Sequence, residues 1–221
     1  MNTTKRTLFN FLLGAITCML IVGVSNLPLS NVAWSVPAQP ESIELFPSRS
    51  LEIGQMQQPI NQHLMADLQE AESVLMAQSM SDSSMQRYVT ILTKNNIVPN
   101  PPSTSATGVA GAVLMGDRLV VRGDFGSLTS ALRDYTTDPL NPPNPNITSA
   151  VHIHRGAPTE NGPFQYALTV VVNKTGIGGR FMGEYTLTSE QLQALADGKL
   201  YVDIHTKKNR AGELRGVFRQ I

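Results

Sequence analysis

From Gln86 to Ile221 the chain is cut into short β-branched and aromatic runs separated by Gly, Pro and Asn, and this constrains its fold more than any other feature. The runs are Tyr88 to Thr93, Thr107 to Leu114, Arg118 to Phe125, Thr148 to His154, Phe164 to Val172, Gly179 to Leu187, Tyr201 to His205 and Leu214 to Arg219. Met115-Gly116-Asp117 is a tight turn that makes the second and third runs a hairpin. The Pro/Asn-rich stretch 138–145 carries no regular pattern and reads as a loop. One short helix interrupts the series. Thr188 can cap it, Gln191 completes a capping box, Leu192 and Leu195 supply its apolar face, and Gly198 stops it. Seven to eight short strands at near-regular spacing predict an all-β domain, an antiparallel Greek-key-like β-sandwich.

The region before Gln86 is different. Lys5 and Arg6 precede an apolar run from Leu8 to Val24, the layout of an export signal over residues 1–38. Ala33-Trp34-Ser35 and Val36-Pro37-Ala38 both offer a cleavage site. The competing reading is a retained membrane anchor, and an uncleaved signal would be the chain's membrane contact. The run is broken by Asn10, Gly14 and Thr17 and falls short of the roughly 20 apolar residues a span needs, which favours export. Periplasm, an extracellular position or another extracytoplasmic compartment follows. Cys18 is the one cysteine and lies inside the apolar run, so cleavage leaves no thiol and no disulfide.

Residues 39–85 read as a linker followed by a helix. Pro40, Pro47 and Pro59 with several Gln and Ser mark linker up to about residue 62. From Asn61 to Gln78, Leu64, Leu68, Ala71 and Leu75 recur at helical spacing. The stretch 79–84 ends that helix. Met56, Met65, Met76, Met80 and Met85 crowd this segment beside His63. Thioethers suit Cu(I), but the irregular spacing favours flexible apolar filler on a docking helix.

The formal charge is zero, from 17 basic and 17 acidic residues, and it is unevenly spread. Residues 1–35 hold 2 basic and no acidic groups, 36–86 hold 1 and 7, and 87–221 hold 14 and 10. An acidic segment therefore precedes a mildly basic domain, and the two are expected to lie against each other. Arg155, Arg180, Lys207, Lys208, Arg210, Arg215 and Arg219 make the late half basic, and this reads as a solvated face with scattered pairs. Neutrality argues against a nucleic-acid partner. An unidentified protein or cell-envelope partner is the expectation. No phosphate-binding Gly loop, no Gly-x-Ser-x-Gly elbow and no carboxylate pair is evident, so catalysis is not expected.

Alternation nominates one site. In an extended strand, residues two apart share a face. Val151 and Ile153 point one way, and His152 and His154 the other. Val202 and Ile204 point one way, and Tyr201, Asp203 and His205 the other. If those strands are neighbours, His152, His154 and His205 converge, a trio suited to copper or zinc, with Asp203 or Glu213 placed to orient a ring. The alternative is a histidine pair that hydrogen-bonds backbone and shapes the loop 155–163.

Three blocks resemble the CHRD (chordin) domain. Residues 149–163, Ser-Ala-Val-His-Ile-His-Arg-Gly-Ala-Pro-Thr-Glu-Asn-Gly-Pro, are similar to its "A-H-I-H-G-x-A-x-x-x-x-N-G-P" signature. Leu187 to Leu192 and Gly198 to Thr206 are similar to "L-T-x-x-Q-L … G-x-L-Y-V-N-x-H-T", and Asn209 to Gly216 to "N-x-x-G-E-I-R-G". The early "E-V-P-P" survives here as Ile97-Val98-Pro99-Asn100-Pro101-Pro102, Arg155 intervenes after His154, and 138–145 looks like an insertion. The resemblance covers about 86 to 221 and implies an extracytoplasmic β-sandwich of the kind found in exported bacterial proteins. A second layout resembles copper/zinc superoxide dismutases: the His-x-His strand, the later His-bearing strand and the segment 211–216 come in the same order. That resemblance implies His152, His154 and His205 as copper ligands, although a bridging-histidine segment is not evident.

Overall fold

The computed structural model describes residues 49–78 and 84–221. The signal segment, both cleavage sites, the first part of the linker and the stop at 79–83 lie outside the described residues. No helix among the described residues is long and apolar enough to cross a membrane.

The strands are β1 (Met85–Leu92), β2 (Thr107–Met115), β3 (Arg118–Gly126), β4 (Val151–Arg155), β5 (Phe164–Ala167), β6 (Thr169–Val172), β7 (Gly179–Thr186), β8 (Leu200–Ile204), β9 (Leu214–Val217) and β10 (Arg219–Gln220). They form two sheets, one ordered β10-β1-β2-β3-β7-β6 and one ordered β5-β4-β8-β9. Every pairing is antiparallel. The domain is the expected β-sandwich with a short helix, α2 (Ser189–Ala196), whose Thr188–Gln191 capping box is formed.

Ten strands replace the expected seven to eight because two runs are each cut by one residue. Phe164 to Val172 breaks at Leu168, which sends β5 to the smaller sheet and β6 to the larger. Phe218 divides β9 from β10 in the same way. Both pivots are buried, so a pattern of apolar residues cannot reveal the break. Each keeps a tie to the smaller sheet: Leu168 N–H donates to Val151 O at 2.8 Å, and Phe218 N–H to Leu200 O at 3.1 Å.

The core lies between the sheets. Ala110, Ala112, Leu119, Val121 and Phe181 meet Val151, Ile153, Val202, Ile204 and Leu214 there. The β2–β3 hairpin turns through Gly116, whose φ of 64° is the left-handed conformation glycine adopts without strain. Nearly all of β2 is buried, because the larger sheet is covered on its outer face as well.

That cover is helix α1 (Arg49–Gln78). It begins at Arg49 rather than Asn61 and runs through Pro59, so much of the expected linker is helical. Leu, Glu, Met and Gln between 51 and 58 are good helix formers and outweigh Gly54 and Pro59. Leu68, Ala71 and Leu75 are its buried stripe, packed on Val113, Met115 and Val120. The helix approaches so closely at Leu68 that a Cβ on Gly111 would lie 2.8 Å from Leu68 Cγ. Met65 and Met76 face solvent, whereas Met85 packs beside the stripe. Met56 and Met80 fall where side chains are not described.

The acidic segment does meet basic groups of the domain, at Arg87 and Arg122 and, from the late basic set, at Arg180. Glu70 pairs with Arg122 at 3.1 Å and with Arg180 at 2.7 Å, and Glu72 pairs with Arg87. Asp67 is buried at 1% exposure and reaches Arg180 at 3.3 Å, while its Oδ2 has no hydrogen-bond partner. Burial, and then the neighbouring Asp124, push the Asp67 carboxyl up to about 6.

Two outcomes follow for α1. A carboxyl raised in the fold binds its proton before the unfolded chain does, so Asp67 adds stability at low pH that is lost as pH rises from about 4 to about 6. Asp67→Asn is expected to raise stability at pH 7.5 by about 1–2 kcal/mol and to flatten its dependence between pH 5 and 7, read by urea unfolding. A variant that keeps the wild-type slope would contradict this account. Leu75→Ala is expected to cost about 2–4 kcal/mol and to speed amide exchange along α1.

Candidate metal centre

β4 and β8 are direct neighbours, with His152 opposite Asp203 and His154 opposite Tyr201. Their apolar residues enter the core, which leaves the histidines on the outer face of the smaller sheet. His205 follows β8 and continues the ladder by donating its N–H to Ala150 O at 2.9 Å. Ring centroids of His152 stand 5.7 Å from His154 and 5.0 Å from His205, and those of His154 and His205 are 6.4 Å apart. One nitrogen from each ring lies within 4.8 Å of the others. Three nitrogens bonded to one metal at about 2.0–2.1 Å stand roughly 3.3–3.6 Å apart, so the rings would close by up to about 1.5 Å to share one ion.

Each ring is held by a backbone carbonyl. Ser149 O faces His152 Nε2 at 2.6 Å, Gly162 O faces His154 Nδ1 at 3.0 Å, and Arg210 O faces His205 Nδ1 at 3.0 Å. A carbonyl can only accept, so in the neutral ring the proton sits on that nitrogen and the other carries a lone pair. The lone-pair nitrogens of His154 and His205 are their Nε2 atoms, both shut off from solvent and without a hydrogen-bond partner. Burial pushes the His152 ring down to about 3, with help from His205, and the His205 ring down to about 4. His154 is lowered by burial as well. All three are therefore neutral at ordinary pH, the form that ligates metals.

Aromatic side chains wall the trio. Tyr201 stacks on His154 at 5.4 Å and 7°. Phe164 presents its ring to His152 at 5.4 Å and to His154 at 6.2 Å. Tyr135 stands 5.4 Å from His152 and 6.4 Å from His205, with the Arg133 guanidinium 4.5 Å from its ring centre. Tyr135 also lines a cavity of about 420 Å³ bounded by the proline-rich stretch 139–145.

A model of the CHRD domain matches residues 88–218. The chain belongs to the CHRD domain family. No curated protein and no solved structure matches it. The match takes in most of β1 and all of β2 to β9, histidines included, and leaves out β10 and the described part of α1.

The carboxylates expected to orient the rings do other work. Asp203 takes both its oxygens to Arg215, at 2.7 and 2.8 Å. Arg215 was placed in a basic surface by its sequence neighbours, yet it is 1% exposed. It also donates to Glu160 O at 3.0 Å and to Asn161 Oδ1 at 2.7 Å, and it lies 4.2 Å over the Tyr201 ring. It thereby ties the loop that supplies Gly162 O to the strand that carries Tyr201. Glu213 is fully buried and accepts from Thr104, Thr129, Thr206 and Asn209. Burial would raise its carboxyl, but these bonds outweigh burial and hold it below its ordinary value. It fixes the segment 206–213 that carries Arg210 O. Of the rest of the late basic set, Arg155 pairs with Glu190, Arg210 with Asp138, and Arg180 with the carboxylates of α1. His63 is on α1, 3.5 Å from Asp124.

Sequence alternation found the three histidines. It did not find Tyr135, a loop residue without a period, nor the three carbonyls, which carry no side-chain identity, and Phe164 reads as part of a strand without a partner face. Arg215→Ala is expected to cost about 3–5 kcal/mol by leaving Asp203 charged and unpaired. The double variant Asp203→Leu/Arg215→Met should recover much of that loss in denaturant titrations. A double variant no more stable than Arg215→Ala would contradict it.

Proposed function

We propose that this CHRD domain is an exported, non-catalytic binding module whose ligand is a late first-row transition-metal ion, copper or zinc, held by His152, His154 and His205. The observation that carries the reading is the pair of buried nitrogens, His154 Nε2 and His205 Nε2, each with a lone pair and no partner, beside the third ring. A buried polar atom without a partner costs about 1–3 kcal/mol, and a metal ion would satisfy both at once. The carbonyls behind the rings match the outer support that metal-bound histidines have. A resident ion would supply Lewis acidity or electron exchange. The aromatic wall argues for storage or structure, since a catalytic ion keeps an open position for substrate. Export rests on the Lys5–Arg6 and Leu8–Val24 layout.

A second reading has its own observation. The His154 bond to Gly162 O orders the loop 156–163 without any ion. It does not account for the two unpartnered nitrogens.

Metal analysis separates the two. Purified protein, stripped and then titrated with Cu or Zn, is expected to hold about one equivalent and to gain thermal stability, and His154→Ala should abolish both effects. Folded wild-type protein that takes up neither ion would overturn the proposal. Loss of stability in His152→Ala with no metal dependence would instead favour loop ordering.

A further inference from the structure

Resting on that reading of the site, we infer that the histidine centre selects a monovalent ion, cuprous copper, over divalent zinc or cupric copper. The argument is one of charge. The donors are three neutral imidazoles, and among the described residues no carboxylate joins them. Both oxygens of Asp203 are taken by Arg215, and both oxygens of Glu213 by Thr104, Thr129, Thr206 and Asn209. The cations nearby already occupy the carboxylates within reach: Arg215 holds Asp203, and Arg133 and Arg210 share Asp138. An entering ion therefore brings its whole charge into the site.

The donor atoms are screened from solvent, although His154, Tyr135 and Phe164 keep partial exposure. His154 Nε2 and His205 Nε2 are closed to solvent, and Tyr135, Phe164 and Tyr201 pack round the rings. The cost of moving an ion into a low-dielectric site grows with the square of its charge, so a divalent ion faces about four times the penalty of a monovalent one. Zinc ordinarily offsets this with anionic ligands or with a fourth, water-derived ligand. No carboxylate among the described residues joins the three rings to supply the first of these. Cuprous copper is a soft d¹⁰ ion that is content with three nitrogen donors and one unit of charge.

The test uses the purified full-length protein under anaerobic conditions. Cu(I) is titrated in competition with bicinchoninate, Zn(II) in competition with a chromogenic chelator, and an equimolar mixture of the two ions is then partitioned by elemental analysis. Cu(I) is expected to bind at least about 100-fold more tightly than Zn(II) and to displace it. The reduction potential of the bound copper should lie above that of the free ion, and the loaded protein should be silent in electron paramagnetic resonance. Phe164→Glu sets a carboxylate beside His152 and His154, and should narrow the gap or invert it. Equal or tighter binding of Zn(II) by the wild-type chain would overturn the charge argument while leaving the metal site in place. Failure to bind any of these ions would overturn the site itself. If Phe164→Glu does not fold, the wild-type comparison still decides.

Discussion

The buried pair of Asp203 and Arg215 is the contact on which the histidine face depends. It spans β8 and β9, supports the Tyr201 ring and holds the loop at Glu160 and Asn161. Gly162 of that loop then accepts from His154 and donates its own N–H to Tyr201 Oη at 2.7 Å. One guanidinium thus sets the strand, the stacking partner and the carbonyl that together fix a single ring. Glu213 does the same from the opposite side for the turn after His205. Two charged groups that sequence reading assigns to surface or ring support are instead the internal braces of three loops.

The two sheets divide the physical work. In the larger, β2 is buried on both faces, by the core and by α1, whereas β6 is largely exposed. The smaller turns its apolar residues to the core and sets polar and aromatic side chains on its other face, where His152, Tyr201, Asp203 and Arg215 are buried too. Such a face has a cost, since neutral histidines with unfilled lone pairs contribute less than apolar packing would. The core between the sheets meets that cost, so the centre can stay fixed without being assembled by its ligand.

How far the sequence discloses this depends on the kind of information each residue carries. Period-two alternation places Val151, Ile153, Val202 and Ile204 inward and the histidines outward, and the sandwich and its CHRD identity follow from the same strands. Thr188, Gln191 and Gly198 announce α2 because capping is local chemistry. Leu168 and Phe218 give no such warning, because a residue that changes sheets looks like any other buried apolar residue. Arg215 misleads for a related reason: its neighbours Arg210 and Arg219 are exposed, and composition cannot tell a paired interior cation from a solvated one. The start of α1 was hidden by proline and glycine, which mark linkers more often than helices.

The pivot at Leu168 also determines where this chain can change length. One residue joins a strand of each sheet and still bonds Val151 beside the first histidine, so the segment has no slack. An added or deleted residue there would shift β5 against β4 or β6 against β7, and a one-residue slip of β5 would turn Phe164 away from the histidines. The proline-rich stretch 138–145 belongs to no ladder and hangs outside the sandwich. Variation in length among chains of this architecture should therefore gather in that loop and be absent at the pivot, whatever the sequences on either side.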